Sequence, residues 1–289
     1  MSHRTSKLIM SYFNIKSYAK INLALNVVGK SDELHKIESI VAFLDLYDEI
    51  KIRKINHKNH RVKFTGKFSA GIKSQNTISI LLKNIEKKKL LKDKYHIIVK
   101  KNIPSKAGLG GGSMNAANIL NFFVKQKLIK VKKKEIVELS NSIGSDVILG
   151  LLSKSLILKE NNHIKILPLK KTLHTLIVKP NFGCSTKTIY SKVKKFSKPE
   201  FNFISRHFLD LKFIKKRKND LEKIAFQKYS KLKSLKIFLD KLSNTELVRM
   251  TGSGSAIIVY FNSAEKCKEA EKKVKKKFRN YWCKTSKTI

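Results

Sequence analysis

Pro104-Ser105-Lys106-Ala107-Gly108-Leu109-Gly110-Gly111-Gly112-Ser113-Met114-Asn115-Ala116-Ala117 holds four of the chain's twelve glycines within five residues. A strand-like stretch, His96 to Val99, precedes it. A helical pattern over Asn115 to Leu128 follows, with Ile119, Leu120, Phe123, Val124 and Leu128 on one stripe. A loop without side chains that opens a helix turns backbone N–H groups and the positive end of the helix dipole toward one point. A polyphosphate is the natural guest, and glycine is required because a Cβ would block close approach and forbid positive φ. A flexible hairpin is the plainer reading, but such loops rarely run straight into Ser-x-Asn-Ala-Ala, a good helix start. Neither GxxxxGK[ST] nor GxGxxG occurs here, which sets aside the P-loop and dinucleotide folds.

Outward from the loop, Ser17 to Val28 alternates. Ala19, Ile21, Leu23, Leu25 and Val27 share one face, and Lys20, Asn22 and Asn26 the other. A polar strand face normally meets water, so the plain expectation for Lys20 and Asn22 is a solvated surface. Ser39 to Tyr47, Leu156 to Leu158, Ile164 to Leu167, Thr175 to Val178 and Ala256 to Phe261 also read as strands, and Gln75 to Lys89 as a helix. After Asn161-Asn162 the composition shifts toward a lysine-rich helical region, Phe201 to Leu242. The helix Ala264 to Phe278 carries Ala264, Cys267, Ala270, Val274 and Phe278 on one stripe and lysines elsewhere, a solvated face. Two packed α/β domains divided near residue 165 are the simplest organisation.

With 289 residues, 42% of them hydrophobic, the chain can fill a core, and its formal charge of +42 does not describe a disordered basic tail. Only seven of the 63 basic residues are arginine, whereas nucleic-acid readers favour the arginine fork. Lysines spread over every segment fit no basic, aromatic-lined surface. Cys184, Cys267 and Cys283 form no CxxC pair and are odd in number, which suits a reducing cytoplasm. Leu8-Ile9-Met10 is too short for a signal-peptide core, and no run approaches the roughly 20 apolar residues of a membrane span. Met10 is a second candidate start. His57 and His60 have no partner ligands in sequence and read as surface residues.

Six segments occur in a fixed order between residue 17 and about 261: Ala19-Lys20-Ile21-Asn22-Leu23, Phe43 to Glu49, Pro104 to Ala117, Ile143-Gly144-Ser145-Asp146-Val147, Asn219-Asp220-Leu221-Glu222 and Met250 to Ser255. The glycine loop resembles the phosphate-binding motif of the GHMP kinase superfamily. The set together resembles one branch of it, the 4-diphosphocytidyl-2-C-methyl-D-erythritol kinases. That resemblance implies an α/β (α+β) two-domain GHMP kinase fold. Its ribosomal-protein-S5-like, ATP-binding N-terminal domain would span 1–165 and its ferredoxin-like C-terminal domain 166–289. The implied reaction is ATP-dependent phosphorylation of a small-molecule alcohol, with Mg²⁺ bridging the phosphates. Asp146 would be the general base and Lys20 its electrostatic partner, although an Asp in Ser-Asp-Val is by itself commonly a helix cap.

For ATP, the resemblance places Asn76 and Thr77 near the adenine and Lys101 and Pro104 where the chain enters the loop. Ser105, Lys106, Ala107, Gly108, Leu109, Gly110, Gly111, Gly112, Ser113 and Met114 surround the phosphates. Lys106 has two open readings, a phosphate contact or solvent. Ser113 is one candidate contact for Mg²⁺, and the metal ligands stay unassigned. For the acceptor it implies Asn22, His35, Thr186 and Tyr190. His35 would bond the cytosine, with the Tyr190 ring on one face. Leu34 stands where the family stacks a second aromatic and offers only apolar contact. Thr77, Lys106, Met114 and Ile148 also depart from the family's usual residues. The expected partners are a small-molecule substrate, with neither nucleic acid nor membrane, for a cytoplasmic monomer or homodimer. Homoserine kinase is the nearest rival. A basic nucleic-acid-binding protein on an S5-like fold is a rival of another class, and an inactive regulatory relative is a third.

Overall fold

The structure, a computed structural model, describes residues 11–31, 34–160, 163–202, 204 and 208–289. Glu33, Asn161 and Asn162, and the segment containing Met10, lie outside the described residues. Two long strands come first, β1 (Phe13–Ser31) and β2 (Leu34–Ile55). Then follow β3 (Arg61–Thr65), α1 (Thr77–Lys87), β4 (Lys94–Lys100), α2 (Gly111–Lys125), α3 (Lys133–Ile143), α4 (Val147–Leu152), β5 (Leu156–Leu158), β6 (Ile164–Ile166) and β7 (His174–Lys179). The remainder is α5 (Thr186–Tyr190), α6 (Leu211–Lys215), α7 (Leu221–Lys228), α8 (Ser230–Asp240), β8 (Leu247–Met250), β9 (Ile257–Phe261), α9 (Ala264–Lys277) and β10 (Trp282–Lys287).

These elements form two compact units that interleave along the chain. One takes residues up to Ala19, Leu46–Pro104 and Gly110–Ser153; the other takes Lys20–Asp45, Ser105–Leu109 and Lys154–Ile289. In the first, β4 pairs antiparallel with β2 from Glu49 to Ile55 and parallel with β3. Its core joins Ile50, Ile52, Ile97 and Val99 of the strands to Ile78, Leu81 and Ile85 of α1 and Ile119, Leu120 and Phe123 of α2. In the second, β5 pairs with β2 at Ser39–Val41 and β6 with β5. A separate antiparallel sheet runs β10-β7-β9-β8. Leu176, Val178, Ile257, Val259 and Phe261 of that sheet pack on Leu221 and Ala225 of α7, Leu232, Leu235 and Leu239 of α8, and Cys267, Ala270 and Val274 of α9.

β2 outruns its apolar stretch because it has two successive partners, so the strand continues through Asp48, which on sequence looks like a strand end. α2 begins at Gly111 rather than Asn115, with Gly110 in its N-cap position at a left-handed φ of 68°. The region 201–242 is not one helix: the chain breaks at Asn219 and again at Tyr229, whose φ of −124° and ψ of 88° are not helical. β3, β8, β10, α3 and α4 were not legible from periodicity. β3 and β10 are polar strands with half-exposed side chains, which blurs alternation. On α9, Cys267, Ala270 and Val274 are buried while Lys272, Lys273, Lys275, Lys276 and Lys277 are exposed, as the stripe predicts.

The expectation of a solvated polar face on β1 is overturned. Lys20, Asn22 and Asn26 are all buried. Burial of such groups requires hydrogen-bond partners. Asn26 Nδ2 donates to Glu38, and Asn22 Nδ2 donates to Ser39 Oγ at 2.8 Å. Among the described residues no helix is long and apolar enough to cross a membrane.

Candidate active site

In the first unit the site is built on one carboxylate. Asp48 is completely buried on β2 and gathers donors from both ends of the glycine loop. The Lys101 ammonium pairs with Oδ2, and Asn115 Nδ2 of α2 donates to the same oxygen at 2.9 Å. The backbone N–H groups of Asn102 and Ile103 donate to Oδ1 at 2.7 and 2.8 Å. The strand entering the loop and the helix leaving it are thereby fastened at one point. Lys101 is largely neutralised there, so its place near the loop reflects bracing. Removing one member of a buried ion pair costs about 3–5 kcal/mol, whereas removing both is often close to neutral. Lys101→Met should therefore destabilise the protein by about that amount, and Asp48→Asn added to it should restore most of the loss. Denaturant unfolding of the wild type, both single variants and the double variant tests this, and a fully stable Lys101→Met would remove the brace.

Around the helix start, Met114 N donates to Gly110 O, which leaves the amides of Gly111, Gly112 and Ser113 outside the helical ladder. The Thr77 hydroxyl donates to Gly112 O at 2.7 Å and braces the first turn. Asn76 caps α1: its Oδ1 accepts from Ile78 N and Ser79 N, and its Nδ2 donates to Lys73 O and Ser74 O. Met114 is buried, with its sulfur 2.9 Å from where a Cβ on Gly150 would stand, so it fills a gap in the core. Pro104 is buried. Asp146 is half-buried at the N-cap position of α4, yet its side chain makes no capping bond, so the plain cap reading does not describe it.

The second unit holds the loop's other half, Ser105 to Leu109. Ala107 and Leu109 are buried, while Ser105 and Lys106 are exposed. Lys20 N donates to Leu109 O at 3.0 Å. The Lys20 ammonium donates to Asn22 Oδ1 at 2.8 Å. Thr251 joins these parts: its hydroxyl accepts from Asn22 N and donates to Gly108 O at 3.1 Å. Ser255 N and Ala256 N donate to Lys106 O and Ala107 O. The Thr251–Ser255 turn thus supports the glycine loop from beneath. Thr186 shares a hydrogen bond of 2.9 Å with Ser253 of that turn.

His35, at the start of β2, lies with its ring 5.1 Å from the Tyr190 ring. Burial, and then the charge of Lys30, hold its imidazole below the usual histidine pKa, so at pH 7 one ring nitrogen donates and the other accepts. Within the first unit the structure holds Asn76, Thr77, Lys101, Pro104, Gly110 to Met114 and Asp146, and within the second Lys20, Asn22, His35, Ser105 to Leu109, Thr186 and Tyr190. Sequence reading missed Asp48 and Thr251 as parts of the site. For Thr251 the two glycines of the turn were a signal; Asp48 lies in the family-like segment Phe43 to Glu49, but its role as an anchor depends on Lys101 and Asn115, 53 and 67 positions away.

The pattern of the family described as "GHMP kinases N terminal domain" matches residues 76–153. The chain is 54% identical to the 4-diphosphocytidyl-2-C-methyl-D-erythritol kinase of Pelagibacter ubique over 97% of its own length and all of that protein. It is 31% identical to the enzyme of the same name from Anaplasma marginale, over 95% of this chain and 96% of that one. Its fold superposes on a crystal structure of 4-(cytidine 5'-diphospho)-2C-methyl-D-erythritol kinase with a TM-score of 0.73 at 22% identity, covering 95% and 99% of the two chains. Homoserine kinase from Cytophaga hutchinsonii gives a TM-score of 0.67 at 16% identity, covering 96% and 94%, a likeness of fold alone. The mixed α/β, two-sheet architecture is that of the GHMP kinases, and the chain belongs to their 4-diphosphocytidyl-2-C-methyl-D-erythritol kinase family.

Proposed function

We infer that the protein transfers the γ-phosphoryl group of ATP to the 2-hydroxyl of 4-diphosphocytidyl-2-C-methyl-D-erythritol, releasing ADP, in the non-mevalonate route to isoprenoids. The observation that carries this reading is the full-length likeness to the Pelagibacter enzyme. In the mechanism, the amides of Gly111, Gly112 and Ser113 meet phosphate oxygens at the positive end of α2. Asp146 takes the proton of the acceptor hydroxyl as its oxygen attacks phosphorus. The Lys20 ammonium, oriented by its bond to Asn22, stabilises the negative charge that spreads over the transferring group. Asn22, His35, Thr186 and Tyr190 hold the acceptor, with His35 bonding the edge of its base.

ATP brings Mg²⁺ as its complex, and that ion is ordinarily held by phosphate oxygens, water and one or two carboxylates. Among the described residues no cluster of three His, Cys, Asp or Glu side chains builds a cage for it. We place the enzyme in the cytoplasm as a monomer or homodimer acting on a small molecule, with an ATP-binding domain over 1–165 and a second domain over 166–289. The test is ADP production from ATP with the cytidylyl alcohol, homoserine and mevalonate assayed side by side. Turnover with the cytidylyl alcohol alone is expected, and turnover of homoserine alone would sink the reading.

A further inference from the structure

Beside His35 stands a second aromatic ring that the reading of the family's motifs does not touch. Phe196 lies with its ring 6.4 Å from the His35 ring at an interplanar angle of 56°, while Tyr190 lies 5.1 Å away at 46°. The histidine is thus bordered by two aromatic rings, one from α5 and one from the loop after it. Phe196 is 48% exposed, so part of its ring is open to a ligand beside His35.

Its backbone is nevertheless held firmly. Next to it, Ser197 N donates to Val27 O of β1 at 2.8 Å, and the Ser197 hydroxyl donates to Asp220 Oδ2. Asp220 Oδ2 also accepts from Val27 N. Three and four residues on, Glu200 N and Phe201 N donate to the fully buried Glu38 carboxylate at 2.7 and 2.9 Å, and Phe201 is itself fully buried. A ring held in place by its neighbours' hydrogen bonds yet left in solvent beside a neutral histidine is suited to a flat, uncharged partner. Leu34, by contrast, is 73% exposed and has no π face.

We propose that Phe196 supplies the second aromatic surface for the pyrimidine base of the acceptor, opposite or beside Tyr190, with His35 addressing the base edge between them. The proposal rests on the reading of the acceptor as a cytidylyl alcohol, and it moves the wall expected at Leu34 to a residue about 160 positions further along the chain. Base stacking on an aromatic side chain is lost when the ring is removed and kept when another aromatic replaces it.

The experiment measures steady-state kinetics, CDP binding by calorimetry and thermal unfolding for Phe196→Ala, Phe196→Leu, Phe196→Trp and Leu34→Ala. Phe196→Ala and Phe196→Leu should raise the KM of the cytidylyl alcohol and weaken CDP binding by about 5- to 100-fold, with kcat and the KM of ATP nearly unchanged. Phe196→Trp should restore both. A Phe196→Ala protein with unaltered CDP affinity overturns the proposal, as does a loss seen in Leu34→Ala and not in Phe196→Ala. If Phe196→Leu, which keeps the apolar bulk, binds CDP as well as the wild type, the stacking role is equally refuted. Wild-type protein that neither binds CDP nor phosphorylates the cytidylyl alcohol removes both this proposal and the reading beneath it. A defect confined to the Phe196 variants leaves that reading standing.

Discussion

Asp146→Asn protein should bind ATP with an affinity close to that of the wild type and lose about 10²- to 10⁴-fold in kcat, the range a positioned general base contributes. Asparagine keeps the shape of the side chain and removes its capacity to take a proton. Because the Asp146 side chain makes no capping bond to α4, the substitution takes no hydrogen bond from the helix start. Thermal unfolding of the variant, measured beside its kinetics, separates a change in stability from a catalytic effect. ATP affinity from calorimetry and single-turnover rates separate the two quantities. Near-normal turnover would remove Asp146 from its assigned role, and loss of ATP binding in parallel would make it part of the nucleotide site instead.

Gly108→Ala should be the most damaging small substitution in the loop. Gly108 has a left-handed φ of 75°, and a Cβ there would stand 2.0 Å from Thr251 O, well inside any real contact. The alanine carries two costs, left-handed strain of about 1–2 kcal/mol and overpacking of about 1–3 kcal/mol. The clash is with backbone, so it has no flexible neighbour to absorb it. The Thr251 hydroxyl also donates to Gly108 O and accepts from Asn22 N, so displacement here reaches the residue that orients Lys20. The expected outcome is a Tm lowered by roughly 5–15 °C together with ATP binding weakened at least tenfold. A Gly71→Ala control should cost far less, because nothing lies within 4 Å of its Cβ position, although its φ of 75° carries the same backbone strain. Equal losses in the two variants would show that conformation rather than close approach governs Gly108.

Much of the fold was legible where a single periodicity served a single function. The stripe of α9 and the strand–loop–helix order around the glycines needed only local pattern, because one face of each helix meets one core. The strands did not behave so simply. β2 has different partners in its two halves, and β1 buries both faces, so Lys20, Asn22 and Asn26 look like a wet surface in sequence and are buried in the fold. Alternation reports polarity, and a polar side chain with a hydrogen-bond partner can be buried as readily as an apolar one.

The +42 charge shows the same division. Composition alone assigns most lysines to solvent, and α9 agrees. Position along the chain singles out Lys20 and Lys101, and only the fold tells them apart. Lys101 is held by the buried Asp48, whereas Lys20 donates to the amide of Asn22. What the sequence determined by itself was the glycine-rich loop that opens a helix and the kinase family, since backbone amides, glycines and a helix start are local features fully encoded in consecutive residues. What only the tertiary structure decided was which charges are spent on bracing, that Thr251 supports Gly108, and that Phe196 stands beside His35. Those pairings join residues from about fifty to about a hundred and sixty positions apart, and no local pattern encodes the packing that brings them within hydrogen-bond or ring-contact distance.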